Sequence, residues 1–326
     1  MVFVLEVSTV RAWRESWRVP RAASSLFLLA DCVRRVNTLA MSFLSTFDAT
    51  TAVGNFLSLK CNTLEEGYRA AVVSGCLALS VHLVVSQCLK LCGRKALSKD
   101  AGFVAHQVVA LGYMVALFGV GGLEWWSGAG RVGSAEGRLF DGNPTSRWLA
   151  AITFGQMVAW DIPCGFGLVP SMSGDKIMVG HHVIMAFVAW VGMYSLPSYY
   201  YLFFFGFCEL SSIPLVFVDF FHPKRFAQLA EESALLKTFN EVNRLVFAGL
   251  FIAVRACYFP YVYATMLIPD ILDVYTTPSG QTNAALLWSI AFSATSLTLL
   301  QLYWAGLIGQ QILKMLGGKK EDPKTD

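Results

Sequence analysis

Five side chains combine ionisable chemistry with surroundings that disfavour charge: Asp161, the adjacent pair His181-His182, Glu209 and Arg255 all lie inside long apolar runs. A charged group near the bilayer centre costs at least about 2.5 to 3.5 kcal/mol on insertion scales, so each such residue is a functional expectation. An imidazole beside a buried carboxylate is suited to general acid–base work or to accepting an acyl group, because the carboxylate fixes the tautomer and raises ring basicity. Asp161 with His181 or His182 meets that description. The structural reading of the same residues is that Glu209 and Arg255 neutralise each other while the histidines hydrogen-bond to neighbouring helices.

Depth favours a shared site. At a rise of about 1.5 Å per residue, Asp161 lies roughly 13 Å from one end of its apolar run, and His181 and His182 lie roughly 6 to 9 Å into theirs from the same side. His82 and His106 fall in that half as well. Metal chemistry finds no support: positions 184 to 186 are Ile, Met and Ala, so no i+3 or i+4 ligand completes a site at the paired histidines. Five histidines in all, at 82, 106, 181, 182 and 222, are too few for the histidine clusters of a membrane di-iron oxygenase. No cofactor is expected. Gly119 to Gly122 lack a following Lys-Ser/Thr and suggest close helix packing instead of a phosphate loop. The eight cysteines form no CxxC pair; Cys88 and Cys92, at i and i+4 beside Lys90 and Arg94, suit packing, with palmitoylation as the alternative.

The elements that must hold these residues are membrane helices. Of 326 residues, 55% are apolar and 14% charged, where a soluble domain carries roughly a quarter charged. The net charge of +3 is scattered, which argues against a nucleic-acid partner and for membrane lipids. Seven windows are long enough to span a hydrocarbon core: approximately 70–92, 101–123, 148–170, 177–196, 199–221, 245–269 and 284–316. The last divides into two elements or ends in an interfacial extension. Residues 65–316 thus form a transmembrane domain and 317–326 a solvated tail. Residues 1–64 form an arm with no complete span, whose Arg11, Trp13, Arg14, Trp17, Arg18 and Arg21 suit a membrane surface or an organellar presequence. Flanking Lys/Arg number 13 on one side and 5 on the other, which predicts a cytoplasmic C-terminus and a lumenal N-terminus. The aromatic run from Ser198 to Phe207 is expected as an interfacial belt on a lipid-facing helix, Trp125-Trp126 as an interface anchor, and Glu231 to Lys237 as an amphipathic linker helix.

The order of these residues resembles a known family. Asp161, then Gly180-His181-His182-Val183, Glu209-Leu210-Ser211-Ser212-Ile213-Pro214, Asn243-Arg244, Arg255, and Trp304 before the basic end at Lys314 look like the TLC domain over roughly residues 65 to 316. That family groups translocation-associated membrane proteins, ceramide synthases and the ceroid-lipofuscinosis membrane protein. The resemblance implies an all-α polytopic bundle, residence in the endoplasmic reticulum or a related endomembrane, and a role in lipid homeostasis. Ceramide synthases carry the paired histidines and an Asp-x-x-Asp in the following helix, and acylate a sphingoid base with acyl-CoA. Here the matching helix has Glu209-Leu-Ser-Ser, which is closer to the non-synthase members. The resemblance implies that His181, His182, Glu209 and Arg255 line a lipid cavity, and the residue argument adds Asp161. The alternatives are an acyl-CoA-dependent N-acyltransferase with His181, His182 and Asp161 as catalytic residues, and a trafficking or translocation-associated helper.

Overall fold

The computed structural model describes residues 48–316, apart from 93, 94, 175, 195 and 197. The first 47 residues of the expected arm and the tail at 317–326 lie outside the described residues. Every regular element among them is helical. The longer helices are α1 (Ala49–Leu57), α2 (Leu64–Leu91), α3 (Ala101–Ser127), α4 (Pro144–Gln156), α5 (Lys176–Tyr194), α6 (Leu202–Phe220), α7 (Ala234–Tyr275) and α8 (Ala284–Leu316).

Local chemistry starts these helices. Thr63 Oγ1 accepts from the Glu66 amide at 3.2 Å and Glu66 Oε2 accepts from the Thr63 amide at 3.4 Å, a reciprocal cap that opens α2. Asn143 caps α4 ahead of Pro144 at its first position. Ser233 caps α7. The chain therefore breaks between Ala227–Glu231 and α7, and the expected linker helix is split, its second part running straight into a 42-residue helix.

Six helices, α2, α3, α5, α6, α7 and α8, are long and apolar enough to cross a membrane. The seventh window, 148–170, is helical through Pro144–Gln156 and on through π turns at Met157–Asp161 and Cys164–Leu168, but does not reach the same apolarity. Gln156 and Asp161 dilute it, and both are buried. This segment packs on α2 and α5 as an inner helix, so its polar groups face protein and cavity instead of lipid. At the far end α8 is one unbroken helix of 33 residues.

Proline disturbs the α-helical ladder around the site. Pro163 separates two π turns, Pro214 follows a 3₁₀ stretch at Phe207–Ser211, and Pro260 and Pro269 follow π segments at Phe251–Tyr258 and Tyr263–Leu267. Each lacks an amide proton and crowds the carbonyl four residues back, and the preceding turn widens or tightens in response. Two close approaches depend on glycine. A Cβ on Gly155 of α4 would stand 1.9 Å from the Ala71 carbonyl oxygen of α2, and one on Gly206 of α6 would stand 2.6 Å from the Gly121 carbonyl carbon of α3. The Gly119 to Gly122 patch thus packs a helix, through Gly121 and Gly122.

The aromatic run corrects an expectation. Tyr199, Tyr200, Tyr201, Phe203 and Phe205 are all buried, and Phe203 meets Trp125, Phe204, Phe207, Tyr258 and Phe259 ring to ring. The run forms an interior cluster where α3, α6 and α7 converge, because Gly206 lets α6 approach α3 closely enough to enclose it. Of the expected anchor, only Trp126 is exposed; Trp125 is buried and donates its indole N–H to the Tyr258 hydroxyl at 3.1 Å.

Candidate functional site

One cavity of about 850 Å³ runs through the bundle, and Asp161, His181, His182, Glu209 and Arg255 all line it. Its size falls in the upper part of the range typical of small-molecule sites, roughly 300 to 1,000 Å³. The five residues come from α4's continuation, α5, α6 and α7, and three of them sit on irregular turns: Asp161 ends a π turn, Glu209 lies in the 3₁₀ stretch and Arg255 in a π segment. Such turns rotate a side chain off the regular helical stripe and recur at functional sites.

The first polar group centres on Asp161. His106 Nε2 is 2.9 Å from Asp161 Oδ1, and His182 Nδ1 is 3.4 Å from Asp161 Oδ2, so one buried carboxylate serves two imidazoles. His106 is held flat against Trp160, with ring centroids 4.5 Å apart and planes 20° apart. The tie joins α3 to the π turn that carries Asp161 across 55 positions, a contact no local pattern announces. With Nδ1 of His182 turned to the carboxylate, the tautomer protonated at Nδ1 leaves the Nε2 lone pair for a ligand. His181 contacts the Trp304 ring edge-on at 5.4 Å, and its Nδ1 is buried with no hydrogen-bond partner among the described residues. His82 packs edge-on against Trp160 at 6.3 Å, apart from the residues that line the cavity.

The second group centres on Arg255. Its Nε donates to Ser211 Oγ at 2.8 Å, and its Nη2 donates to Ser212 Oγ at 2.7 Å and to the Cys208 carbonyl at 3.3 Å. Glu209 Oε1 lies 3.8 Å from Arg255 Nη2. The two charges thus neutralise each other at long range while two serines fix the guanidinium. Ser211 and Ser212, which occupy the positions after Glu209-Leu210, are what the irregular turn presents to Arg255.

The cavity changes character along its length. Helix direction puts the connections that follow Leu168 and Phe220 at one end and those that follow Ser127, Tyr194 and Tyr275 at the other. At the first end Ser171, Ser173, His222, Lys224 and Arg225 line it; deeper in, Leu117, Leu139, Phe205, Leu267, Ile290 and Leu297 make it apolar. Beside that far end sits a clamp. Arg138 Nε and Nη2 both donate to Asp270 at 2.6 Å, and the Tyr200 hydroxyl donates to the same carboxylate. The bidentate bond raises the Arg138 pKa above its ordinary value, and burial, followed by the Asp270 contact, raises that of Tyr200. Sequence reasoning missed this clamp, since Arg138, Tyr200 and Asp270 are far apart in the chain and share no local pattern.

Among the described residues no group of three or more His, Cys, Asp or Glu is placed to hold a metal ion. Chemically, the arrangement offers an imidazole oriented by a carboxylate, an ion pair held by hydroxyls, and an apolar tunnel beside both. Neither the curated proteins nor the solved structures yield a match to this chain. The family model of the TLC domain matches residues 68–310, from the first turn of α2 into the last part of α8, and takes in every cavity residue named above. The chain is therefore a multi-pass membrane protein that belongs to the TLC-domain family.

Proposed function

We propose that this protein binds a membrane lipid in the 850 Å³ cavity and acts through it in lipid homeostasis, as a binding, sensing or composition-controlling member of the family. The observation that carries the reading is the coexistence, in one cavity of a membrane bundle, of the Asp161 and Arg255 polar groups with a long apolar section. A chain fits the apolar section and a headgroup fits the polar one. Purely structural helper function accounts less well for it, because helix packing alone gives no reason to retain Asp161, His181, His182, Glu209 and Arg255 around open volume in lipid. In this reading the membrane is the endoplasmic reticulum or a related endomembrane, with the C-terminus in the cytoplasm and the basic end of the cavity on that side. Lipid composition compared between cells with and without the protein tests it. A change restricted to particular lipid classes is expected, and unchanged lipids would contradict it.

A second reading is acyl transfer from acyl-CoA, and the pairing of His182 Nδ1 with Asp161 favours it. His182 Nε2 would take the proton of an attacking hydroxyl or amine, or itself accept the acyl group, while Asp161 steadies the imidazolium. The Glu209-Leu-Ser-Ser sequence, in place of two aspartates, favours binding over transfer. Release of CoA from acyl-CoA by the purified protein with a lipid acceptor, abolished in His182→Gln, distinguishes transfer from binding.

A further inference from the structure

The basic end of the cavity has a construction of its own, separate from both polar groups. Three connections meet there. Arg225 Nη1 donates to Asp100 Oδ2 at 2.8 Å and its Nη2 donates to the Ser171 carbonyl at 2.6 Å, while Ser171 Oγ donates to Asp100 Oδ1 at 2.9 Å. The guanidinium carbon stands 4.2 Å over the Phe103 ring. Phe103, Ser171 and Arg225 line the cavity, and so do the exposed Lys224 and His222 beside them. Arg225 is thus held at the rim of an apolar tunnel by Asp100, Ser171 and Phe103, where its charge stands in the path of a ligand's polar group.

The local field is positive. Lys224, Arg225 and Arg244 surround His222; Asp100 and Asp219 face the same region. Burial first, and then the charges of Lys224, Arg244 and Arg225, hold the His222 pKa below the usual imidazole value. Two carboxylates among three cations leave a net attraction for anions at a rim where solvent is partly excluded. With its Nη atoms tied to Asp100 and Ser171, the Arg225 guanidinium contributes chiefly its charge, and the adjacent Lys224 ammonium contributes donors suited to a phosphate group.

We propose that this rim binds the phosphate of an anionic amphiphile whose chain lies in the cavity, with Lys224 and Arg225 as its cationic partners. The proposal rests on the lipid-binding reading above and adds the headgroup class. Depth also supports it. His181 and His182 lie about 6 to 9 Å along α5 from that end, so a phosphate at the rim sets the first few bonds of the amphiphile beside the Asp161 cluster. In a glycerophospholipid those bonds include the acyl esters. In an acyl-CoA, whose thioester is separated from its phosphates by the pantetheine arm, they do not. The chemistry shared by both is the phosphate, and the geometry favours the phospholipid.

The test uses the full chain in nanodiscs, with native mass spectrometry of added dioleoyl phosphatidic acid, dioleoylglycerol and oleoyl-CoA. Phosphatidic acid is expected to bind at least tenfold more tightly than dioleoylglycerol, the same chains without phosphate. The ratio is expected to fall toward one in Lys224→Gln/Arg225→Gln. If that double variant does not fold, Lys224→Gln alone, at an exposed position, is expected to lower the ratio severalfold. The His222 imidazole pKa is expected to rise when phosphatidic acid binds. Preferential binding of oleoyl-CoA with the same dependence on Lys224 supports the phosphate site and assigns the soluble source. Equal binding of phosphatidic acid and dioleoylglycerol by the unaltered protein overturns the proposal and leaves the lipid cavity standing. Binding of none of the three overturns both.

Discussion

His106 Nε2 lies 2.9 Å from Asp161 Oδ1, so the carboxylate is the hub of the polar cluster and the histidines are its spokes. His182 reaches the other oxygen at 3.4 Å. This arrangement ranks the residues by what their loss leaves behind.

Asp161→Ala strands the buried His106 without its acceptor and removes the carboxylate 3.4 Å from the half-buried His182. Because a hydrogen bond to a charged group is worth about 1.5 to 3 kcal/mol, the variant is expected to lose at least that much stability. His106→Gln retains an amide donor toward Asp161 and is expected to lose less. Thermal unfolding in one detergent, read side by side, checks the order; equal losses would remove Asp161 from the centre.

The Arg138–Asp270 clamp is expected to hold the bundle's far end. Both side chains are largely buried, and breaking a buried ion pair from one side costs about 3 to 5 kcal/mol because the remaining charge is left unpaired. Asp270→Asn should therefore lower the unfolding midpoint strongly, with Tyr200→Phe losing only one of Asp270's donors and lowering it less. An unchanged midpoint in Asp270→Asn would show that the clamp contributes nothing.

Gly155→Val places a branched side chain where even a Cβ would stand 1.9 Å from the Ala71 carbonyl oxygen. Overpacking of this kind costs about 1 to 3 kcal/mol and separates α2 from α4. Reduced yield and a lower midpoint are expected, whereas Gly112→Ala, with open space around the new Cβ, should be nearly neutral.

The Cys61 thiol, just ahead of α2, is buried, and burial together with nearby Glu66 pushes its pKa up to about 12. The ordinary thiol deprotonates near neutral to mildly alkaline pH and the folded one does so only far above it. The thiolate is the reactive form. Maleimide at pH 8 should therefore label Cys92, which is exposed, well before Cys61. Equal rates in the native protein would contradict the burial.

The helical bundle and its site were legible in the sequence to different degrees. Apolar windows locate spans, and counting residues from their ends gives depth, which is why Asp161, His181, His182, Glu209 and Arg255 fall into one cavity. Rotation about the helix axis is another matter. Asp161 and Arg255 are turned by π segments, and Glu209 by a 3₁₀ stretch, none of which apolar periodicity reveals, although Pro163, Pro214 and Pro260 mark where the ladder is disturbed. The aromatic run at 198–207 misleads for the same reason: Tyr and Phe at the edge of a span read as an interface belt until the close approach at Gly206 encloses them. Long-range ties such as Asp100 to Arg225 and Arg138 to Asp270 depend on which loops share an end and on side-chain reach, and only three-dimensional packing supplies both.

Lipid retained by the purified protein tests the central claim most directly. Ala110 and Ala294 line the cavity from α3 and α8, and Ala110→Phe/Ala294→Phe fills it with side chains compatible with an apolar lining. Native mass spectrometry of the unaltered protein should show a bound lipid that persists through detergent exchange, and the filled variant, folded and of similar abundance, should have lost it. Unaltered protein free of lipid, or a filled variant that retains the lipid in full, would contradict a lipid-binding cavity.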